Sequence, residues 1–145
     1  MFYKEKIEIA YQALEENDLD MWIVAGQESA TNGEPVLDVM GDAEFIGRTA
    51  LVFNRDHTSC AVCTPLDVNG YINAGVFTET ISFPVSFTQS LGEYIAKKAP
   101  KRIALDFSEN NPASDGLSMG MYKLLQEAFE VAGFQGEVVS AQPIV

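Results

Sequence analysis

Residues 116–120 read GLSMG, the G-x-S-x-G pattern that surrounds the nucleophilic serine of many serine hydrolases. In that chemistry Ser118 would attack a carbonyl carbon from the sharp turn that joins a strand to a helix, and a histidine later in the chain would take its proton. Ser118 instead lies eleven residues beyond a predicted strand that ends at Phe107, and the one histidine, His57, precedes it. The pattern therefore favours a structural role, in which a turn-rich loop leads to a helix capped by Ser118 or Asp115.

Cys60 and Cys63 form a second chemical pattern, C-x-x-C. In redox proteins this motif begins a helix, whose N-terminus lowers the pKa of the thiol. Here it lies in the apolar stretch TSCAVCTP, which predicts a strand whose residues three apart point to opposite faces. A zinc site would need two further ligands, which one histidine and no other cysteine do not supply. We expect both thiols to pack in the core, and we expect His57 to be a solvated turn residue.

The composition indicates one folded domain in a reducing compartment. The chain has 145 residues, of which 47% are hydrophobic and 21% charged. Its formal net charge of -12 repels phosphate backbones and anionic lipids, so we expect neither nucleic acid nor a membrane as a partner. The first residues, MFYKEKIEIAYQALEEN, contain no apolar run of signal-peptide length. The expected location is the cytoplasm.

Apolar periodicity and turn residues divide the chain into alternating helices and strands. Helices are predicted at 3–16, 34–42, 86–100 and 118–133. Strands are predicted at 21–26, 48–54, 59–64, 76–85, 102–107 and 137–144. An irregular, Gly- and Asn-marked connection is predicted at 65–75.

The spacing of these elements predicts an α/β fold with a mixed sheet. The turn RDHT between the second and third strands favours an antiparallel hairpin. The strand, helix and strand that end the chain favour parallel crossover connections.

Four stretches of the chain, taken together with their order, resemble one protein family. RIALDFSENNPASDGLSMGMYKLL is similar to the strand, Ser-Glu-Asn loop and Asp-Gly-Leu helix start near the end of the N-terminal domain in Xaa-Pro dipeptidases and related members of the creatinase/prolidase superfamily. LDMWIVAGQESATNGEPVLDVM resembles the first strand and loop of that domain, and GRTALVF followed by TPLDVNGYINAGVFTETISFP continues in the expected order. The resemblance covers nearly the whole chain.

The resemblance implies a fold for this chain and a catalytic domain that follows it in the full enzymes. The implied fold is a creatinase/prolidase N-terminal domain over residues 1–145, with a mixed five- to six-stranded sheet, helices on both faces and a ribonuclease H-like motif. In the full enzymes a following pita-bread domain, absent from this chain, binds two divalent metal ions of manganese, cobalt or zinc type and cleaves peptides next to proline. We therefore expect this chain to be inactive alone and to hold no cofactor or metal of its own.

The family also implies partners for the domain. In the family, the N-terminal domain helps to form a homodimer and closes over the catalytic groove, often that of the neighbouring subunit, so that only short proline-containing peptides have access. Its own C-terminal catalytic domain is a further partner. The matching loop is GQESATNGEP, so the candidates for this edge are Glu28, Asn32 and Glu34, with Arg48 as a salt-bridge partner.

The structural alternative is that Asn32 caps the short helix and the acids are merely solvated. The functional alternative is a stand-alone peptide- or protein-binding module without peptidase activity, whose acidity suits basic partners. A free-standing serine or thiol enzyme is disfavoured because no base is placed to activate a nucleophile.

Overall fold

The computed structural model describes residues 4–27, 34–40, 47–83 and 85–144. Within these ranges the helices are α1 Lys4–Glu16, α2 Pro35–Met40, α3 Val68–Ala74, α4 Phe87–Lys98 and α5 Met119–Ala132. The strands are β1 Met21–Gly26, β2 Thr49–Asn54, β3 Ser59–Cys63, β4 Glu79–Ser82, β5 Arg102–Leu105 and β6 Glu137–Ser140. A 3-10 turn spans Pro112–Ser114 in the loop before α5.

The strands form one mixed sheet in the order β4-β3-β2-β1-β5-β6. β2 pairs antiparallel with both β1 and β3, which confirms the predicted hairpin. β5 lies parallel to β1 and to β6, and β4 lies parallel to β3 at the edge. The predicted α/β class and mixed sheet of five to six strands are confirmed, with six strands among the described residues.

The two faces of the sheet bury two separate apolar clusters, because successive residues of a strand point to opposite faces. In β1, Met21 and Ile23 pack with buried residues of α4 and α5 on one face. Trp22 and Val24 pack with buried residues of α1 and α2 on the other. Helices therefore cover both faces, as the sequence predicted, and β1 is buried along almost its whole length.

Two serines begin the helices that cover one of these faces. Ser86 Oγ accepts a hydrogen bond from the Gln89 N–H at the start of α4, and Ser118 Oγ accepts one from the Met121 N–H at the start of α5, both at 3.1 Å. Such side-chain caps satisfy backbone donors that have no partner inside the helix. The capping role predicted for Ser118 is confirmed, whereas the alternative cap, Asp115, instead accepts a hydrogen bond from the Ser108 N–H.

The prediction of an irregular connection over residues 65–75 is wrong in part, because residues 68–74 form the helix α3. Asn and Gly residues in this stretch indicated turns, but the helix continues through them and ends at Gly75, whose φ of 70° is left-handed. No residue of α3 is fully buried, although Tyr71 packs partly buried against the cluster on the α1 face, so the apolar signal of this helix is weak. Before it, the Asp67 carboxylate accepts hydrogen bonds from Thr64 Oγ1 and the Gly47 N–H.

Candidate functional site

One end of the sheet is defined by the strands that begin or end there. β1 and β5 are parallel, with Ile23 opposite Leu105, so the chain leaves both strands at the same end. β2 begins at this end, because Thr49 lies opposite Gly26. We call this end, with residues 106–118 and the start of α2, the carboxyl end of the sheet; the opposite end is the amino end.

Two buried acids meet at the carboxyl end. Asp106 directly follows β5 and is 1% exposed, and Glu34 directly precedes α2 and is 8% exposed. The two carboxyl groups lie close enough for each to shift the pKa of the other. We call Glu34 and Asp106 the acid pair. It joins α2 to the central strands across 72 residues of sequence.

Each acid has one conventional hydrogen-bond donor and one oxygen without any. Asp106 Oδ1 accepts a hydrogen bond of 2.8 Å from the Trp22 indole N–H, and Glu34 Oε1 accepts one of 3.2 Å from the Val36 N–H. Glu34 Oε2 and Asp106 Oδ2 meet no N–H or O–H donor among the described residues. Carboxylates only accept hydrogen bonds, so a hydrogen bond between the two acids would need a proton on one of them.

The electrostatics of the acid pair follow from burial without a cation. No ion pair between described residues includes either acid. Burial raises the pKa of Glu34 to about 7, against the hydrogen bonds from Val36 and Asp106 that lower it. Burial, and next the charge of Glu34, raise the pKa of Asp106 well above its usual range. The arrangement can therefore hold a proton near neutral pH.

Gly116 makes room for the acid pair. A Cβ atom built on Gly116 would lie 2.2 Å from Glu34 Oε1, which is far inside van der Waals contact. The neighbouring Leu117 N–H donates a hydrogen bond of 3.0 Å to the Asp106 carbonyl oxygen and fixes the loop against the end of β5. The pentapeptide GLSMG at 116–120 thus has two structural functions: its first glycine leaves space for the Glu34 side chain and its serine caps α5.

An open apolar groove lies beside the acid pair. It has a volume of about 490 Å³. It is lined by Phe107, Leu117, Ser118, Met119, Tyr122 and Val138. Phe107 and Met119 are exposed large apolar side chains. Apolar surface of this kind is typical of places where another protein segment binds.

The four residues predicted from the sequence have different positions. Glu28 and Asn32 lie outside the described residues. Glu34 is buried, so the alternative in which it is merely solvated is wrong. Burial disfavours its charged form and raises its pKa. Arg48 is exposed, and its guanidinium carbon lies 6.0 Å from the centre of the Phe87 ring. Glu34 and Arg48 form no ion pair with each other.

The other chemical residues take structural positions. Cys60 and Cys63 are buried free thiols in β3, and burial raises their pKa to about 12 and about 11, so neither is a thiolate at neutral pH. His57 lies in the turn between β2 and β3, at the amino end, where its ring stacks on Tyr11 and its Nε2 is 3.1 Å from Glu15 Oε1. Ser118 lies at the carboxyl end. The topology therefore keeps the histidine away from the serine.

Asp106 and Trp22 were not among the predicted site residues. The signal that could have found Asp106 is an acid directly after the apolar run RIAL, because a carboxyl group there follows a buried strand. The partner acid could not be found in the same way, since the contact depends on how α2 folds back onto the sheet. No group of three or more His, Cys, Asp or Glu side chains among the described residues is placed to hold a metal ion.

Solved structures provide the comparison with known proteins. No family model and no curated protein matches the chain. The creatinase/prolidase N-terminal domain of an X-Pro dipeptidase from Streptococcus pyogenes superposes with a TM-score of 0.68 at 12% identity, over 97% of this chain and 96% of that one. A proline dipeptidase structure from Streptococcus pneumoniae gives a TM-score of 0.67 at 17% identity, over 94% and 91%. The fold is that of a creatinase/prolidase N-terminal domain.

The creatinase/prolidase N-terminal fold expected from the sequence resemblance is thereby confirmed. The chain spans a third of the length of a longer neighbour, an Xaa-Pro dipeptidase from Bacillus anthracis. The match covers 94% of this chain and 33% of that protein, with a TM-score of 0.61 at 14% identity. In the described part of the chain, no helix is both long and apolar enough to cross a membrane.

Proposed function

We propose that this chain is the non-catalytic N-terminal domain of an Xaa-Pro dipeptidase or aminopeptidase, a metallopeptidase that cleaves peptides next to proline. The observation that carries the proposal is the match of its six-stranded fold, over 97% of the chain, to a domain from an X-Pro dipeptidase. On this proposal residues 1–145 are one domain, and a catalytic domain outside this chain binds two divalent metal ions of manganese, cobalt or zinc type. The parent protein would be a cytoplasmic homodimer.

The proposed work of the domain is to support dimerisation and to restrict access to the active site. Glu28, Asn32, Glu34 and Arg48 remain the candidates for the contact edge. Arg48 supports this role because it is exposed and has no ion-pair partner among the described residues. Glu34 would act indirectly, by holding the start of α2 to the carboxyl end. The exposed apolar groove at the same end supports contact with another protein segment.

The first test is the size of the native protein in its source cells, measured by immunoblot with an antibody raised against this chain. We expect a band much larger than the 15.9 kDa of the chain. The larger protein, purified and supplied with Mn²⁺, should hydrolyse Leu-Pro and Gly-Pro, whereas the 145-residue chain should not. A band at 15.9 kDa with no activity would instead support the stand-alone peptide- or protein-binding module.

The second test concerns the contact edge. In the parent enzyme, Arg48→Ala should raise the Michaelis constant or the dimer dissociation constant about fivefold, the effect of losing about 1 kcal/mol of contact. Lys6→Ala, which removes a positive charge from the exposed side of α1, is the matched control and should leave both constants unchanged. Equal effects of the two substitutions would contradict a specific role for Arg48.

A further inference from the structure

A polar pocket at the amino end of the sheet has no part in the proposed function. It has a volume of about 330 Å³ and lies where β2 and α4 end and where β1 and β5 begin. This volume is at the lower end of the range of about 300–1,000 Å³ in which proteins bind small molecules. The charged part of its lining consists of Asp20, Arg55, Asp56, Lys98 and Lys101. We call it the amino-end pocket.

The charge of this lining differs from that of the whole chain. The chain has nine basic and 21 acidic residues, yet three cations and two acids line the pocket. Two of these cations already have partners: Arg55 lies 2.6 Å from Asp18, and the Lys98 ammonium lies 3.5 Å from Asp56. The pairs leave one cation and one acid of the lining without an opposite charge.

These two unpaired charges, Asp20 and Lys101, lie close together. No ion pair between described residues includes either of them. The backbone N–H of Lys101 donates a hydrogen bond of 2.9 Å to Asp20 Oδ2, and the Arg102 N–H donates a second one of 2.9 Å to the same oxygen. The two bonds fix the Asp20 carboxylate at the start of β5. One pocket therefore contains an acid and a cation that do not neutralise each other.

A buried acceptor in the wall of the pocket also lacks a donor. Asn54 lines the pocket and is 4% exposed. Its Nδ2 donates to the Tyr94 hydroxyl at 2.8 Å and to the Thr58 carbonyl at 3.2 Å, whereas its Oδ1 meets no donor among the described residues. Because a carbonyl oxygen only accepts, the bond to Thr58 fixes the amide in this orientation. Buried acceptors are ordinarily satisfied, so this wall favours a bound group that carries a donor.

Backbone strain is concentrated around the same pocket. Three non-glycine residues of the described chain have left-handed φ angles: Asp18 at 54°, His57 at 66° and Ala99 at 49°. Ala99 lines the pocket, His57 follows Asp56 and Asp18 pairs with Arg55. Such angles are uncommon outside glycine, and strained residues cluster at functional sites. Their position supports a binding site at the amino end.

We propose that the amino-end pocket binds a small zwitterion, a free α-amino acid or a dipeptide, whose amine contacts Asp20 and whose carboxylate contacts Lys101. A ligand with only a negative charge would also meet the two acids of the lining, and one with only a positive charge would meet its three cations. A zwitterion gives each unpaired charge an opposite partner and forms charge-assisted hydrogen bonds at both of its ends. α4 ends at this pocket, and the negative end of its dipole favours the amine.

The first measurement compares alanine with analogues that each lack one of its charges. The backbone resonances of Lys101 and Arg102 report on the site in NMR spectra of the 145-residue chain, because both N–H groups bond to Asp20. L-alanine or L-alanyl-L-alanine should shift these resonances saturably, with a dissociation constant in the millimolar range. The probe that saturates at the lower concentration identifies the ligand as an amino acid or a dipeptide.

Propionate lacks the amine of alanine, and ethylamine lacks its carboxylate. Each should bind at least about tenfold more weakly than the zwitterion, because one charge-assisted contact is lost. Equal binding of either analogue, or no saturable shift with alanine and with dialanine, would overturn the proposal.

Two substitutions remove the two proposed contacts separately. Lys101→Ala should weaken binding of the zwitterion about tenfold and leave binding of ethylamine unchanged. Asp20→Asn keeps an oxygen for the two backbone N–H groups but removes the charge, so it should weaken the zwitterion about tenfold and leave propionate binding no weaker.

Lys123→Ala is the matched control, because it removes an exposed lysine of α5 that does not line the pocket. It should bind the zwitterion as the unmodified chain does. If Asp20→Asn does not fold, Lys101→Ala still decides, since that side chain is exposed. Equal weakening by Lys101→Ala and Lys123→Ala would mean that the net charge of the chain governs binding, which would overturn the proposal.

These outcomes are independent of the proposed function. The amino-end pocket lies at the opposite end of the sheet from the contact edge, and no readout depends on peptidase activity or on a longer protein. Zwitterion binding by a chain that belongs to no peptidase would support this inference and contradict the proposed function.

Discussion

The two ends of the sheet treat charge in opposite ways. At the amino end, acids and bases lie in solvent and pair with opposite charges, as Arg55 does with Asp18 at 2.6 Å and Arg102 with Glu137 at 3.2 Å. At the carboxyl end, Glu34 and Asp106 are buried together, and neither forms an ion pair with a cation of the described residues. Charged side chains at the amino end stay in contact with water, whereas burial of the acid pair at the carboxyl end favours its neutral, protonated form.

This difference teaches where the chain is sensitive to substitution. Exposed ion pairs contribute little to stability, since water screens both charges and the long side chains lose freedom on pairing. A buried polar contact is costly to break, because removing one partner leaves the other desolvated and without a hydrogen bond. We therefore expect the largest effects at the carboxyl end and the smallest at the amino end.

Gly116→Ala should have the largest effect. The new Cβ atom would occupy the position of the Glu34 carboxyl group, so the side chain must leave and the acid pair must separate. We expect a loss of about 2–3 kcal/mol in the free energy of unfolding at pH 6, measured by urea denaturation.

Two controls isolate the cause of that loss. Gly120→Ala lies in the same pentapeptide but in open space within α5, so it should stabilise the chain by about 0.5–1 kcal/mol. In a Glu34→Ala background the cost of Gly116→Ala should largely disappear, because the side chain that it displaces is gone. An unchanged cost in that background would mean that the glycine serves the backbone instead.

Trp22→Phe should have the next largest effect. It removes the indole donor of Asp106 and leaves a buried oxygen without a partner, which we expect to cost about 2 kcal/mol together with the lost volume. Urea denaturation at pH 6 checks this, and an unchanged midpoint would mean that the indole donor contributes nothing to the stability of the acid pair.

Ser118→Ala should have a smaller effect of about 1 kcal/mol, the usual value for a lost helix cap. Its matched control is Ser86→Ala, which removes an equivalent 3.1 Å cap from α4 and should cost the same within error. Thermal unfolding of both variants makes the measurement. A much larger loss for Ser118 would show that this serine contributes more than the cap to the carboxyl end.

Most of the fold could be predicted from local patterns. Continuous apolar runs predicted β1 and β5, four-residue apolar spacing predicted α1, and Ser118 before an apolar face predicted the start of α5. These elements bury a face that the sequence records as periodicity. No residue of α3 is fully buried, so the apolar signal there was weak and the turn residues suggested a connection.

The acid pair could not be predicted, because its two members are brought together by the fold. Glu34 precedes a short helix and Asp106 follows a strand, and each position alone is compatible with a solvated acid. Glu34 was selected from the resemblance to a family, but as an exposed contact. What sets its burial is a glycine 82 residues later that leaves space for a carboxyl group. Such a contact depends on tertiary packing, which local periodicity does not encode.

Asp18→Asn at the amino end should have the smallest effect, with no measurable change in the urea midpoint at pH 7. The carboxylate is 78% exposed and its partner Arg55 is 41% exposed, so water replaces the lost ion pair. The hydrogen bond from Arg55 lowers the pKa of Asp18, so any stabilisation from this pair is present above the usual carboxyl range and lost on acidification. That sign is opposite to the one expected for Glu34, because burial raises its pKa to about 7. Lowering the pH from 8 to 5 should therefore stabilise the unmodified chain and Asp18→Asn equally, but leave Glu34→Gln almost unchanged. If Asp18→Asn altered this response as much as Glu34→Gln does, the pH dependence would belong to the net charge of the whole chain and the contrast between the two ends would be wrong.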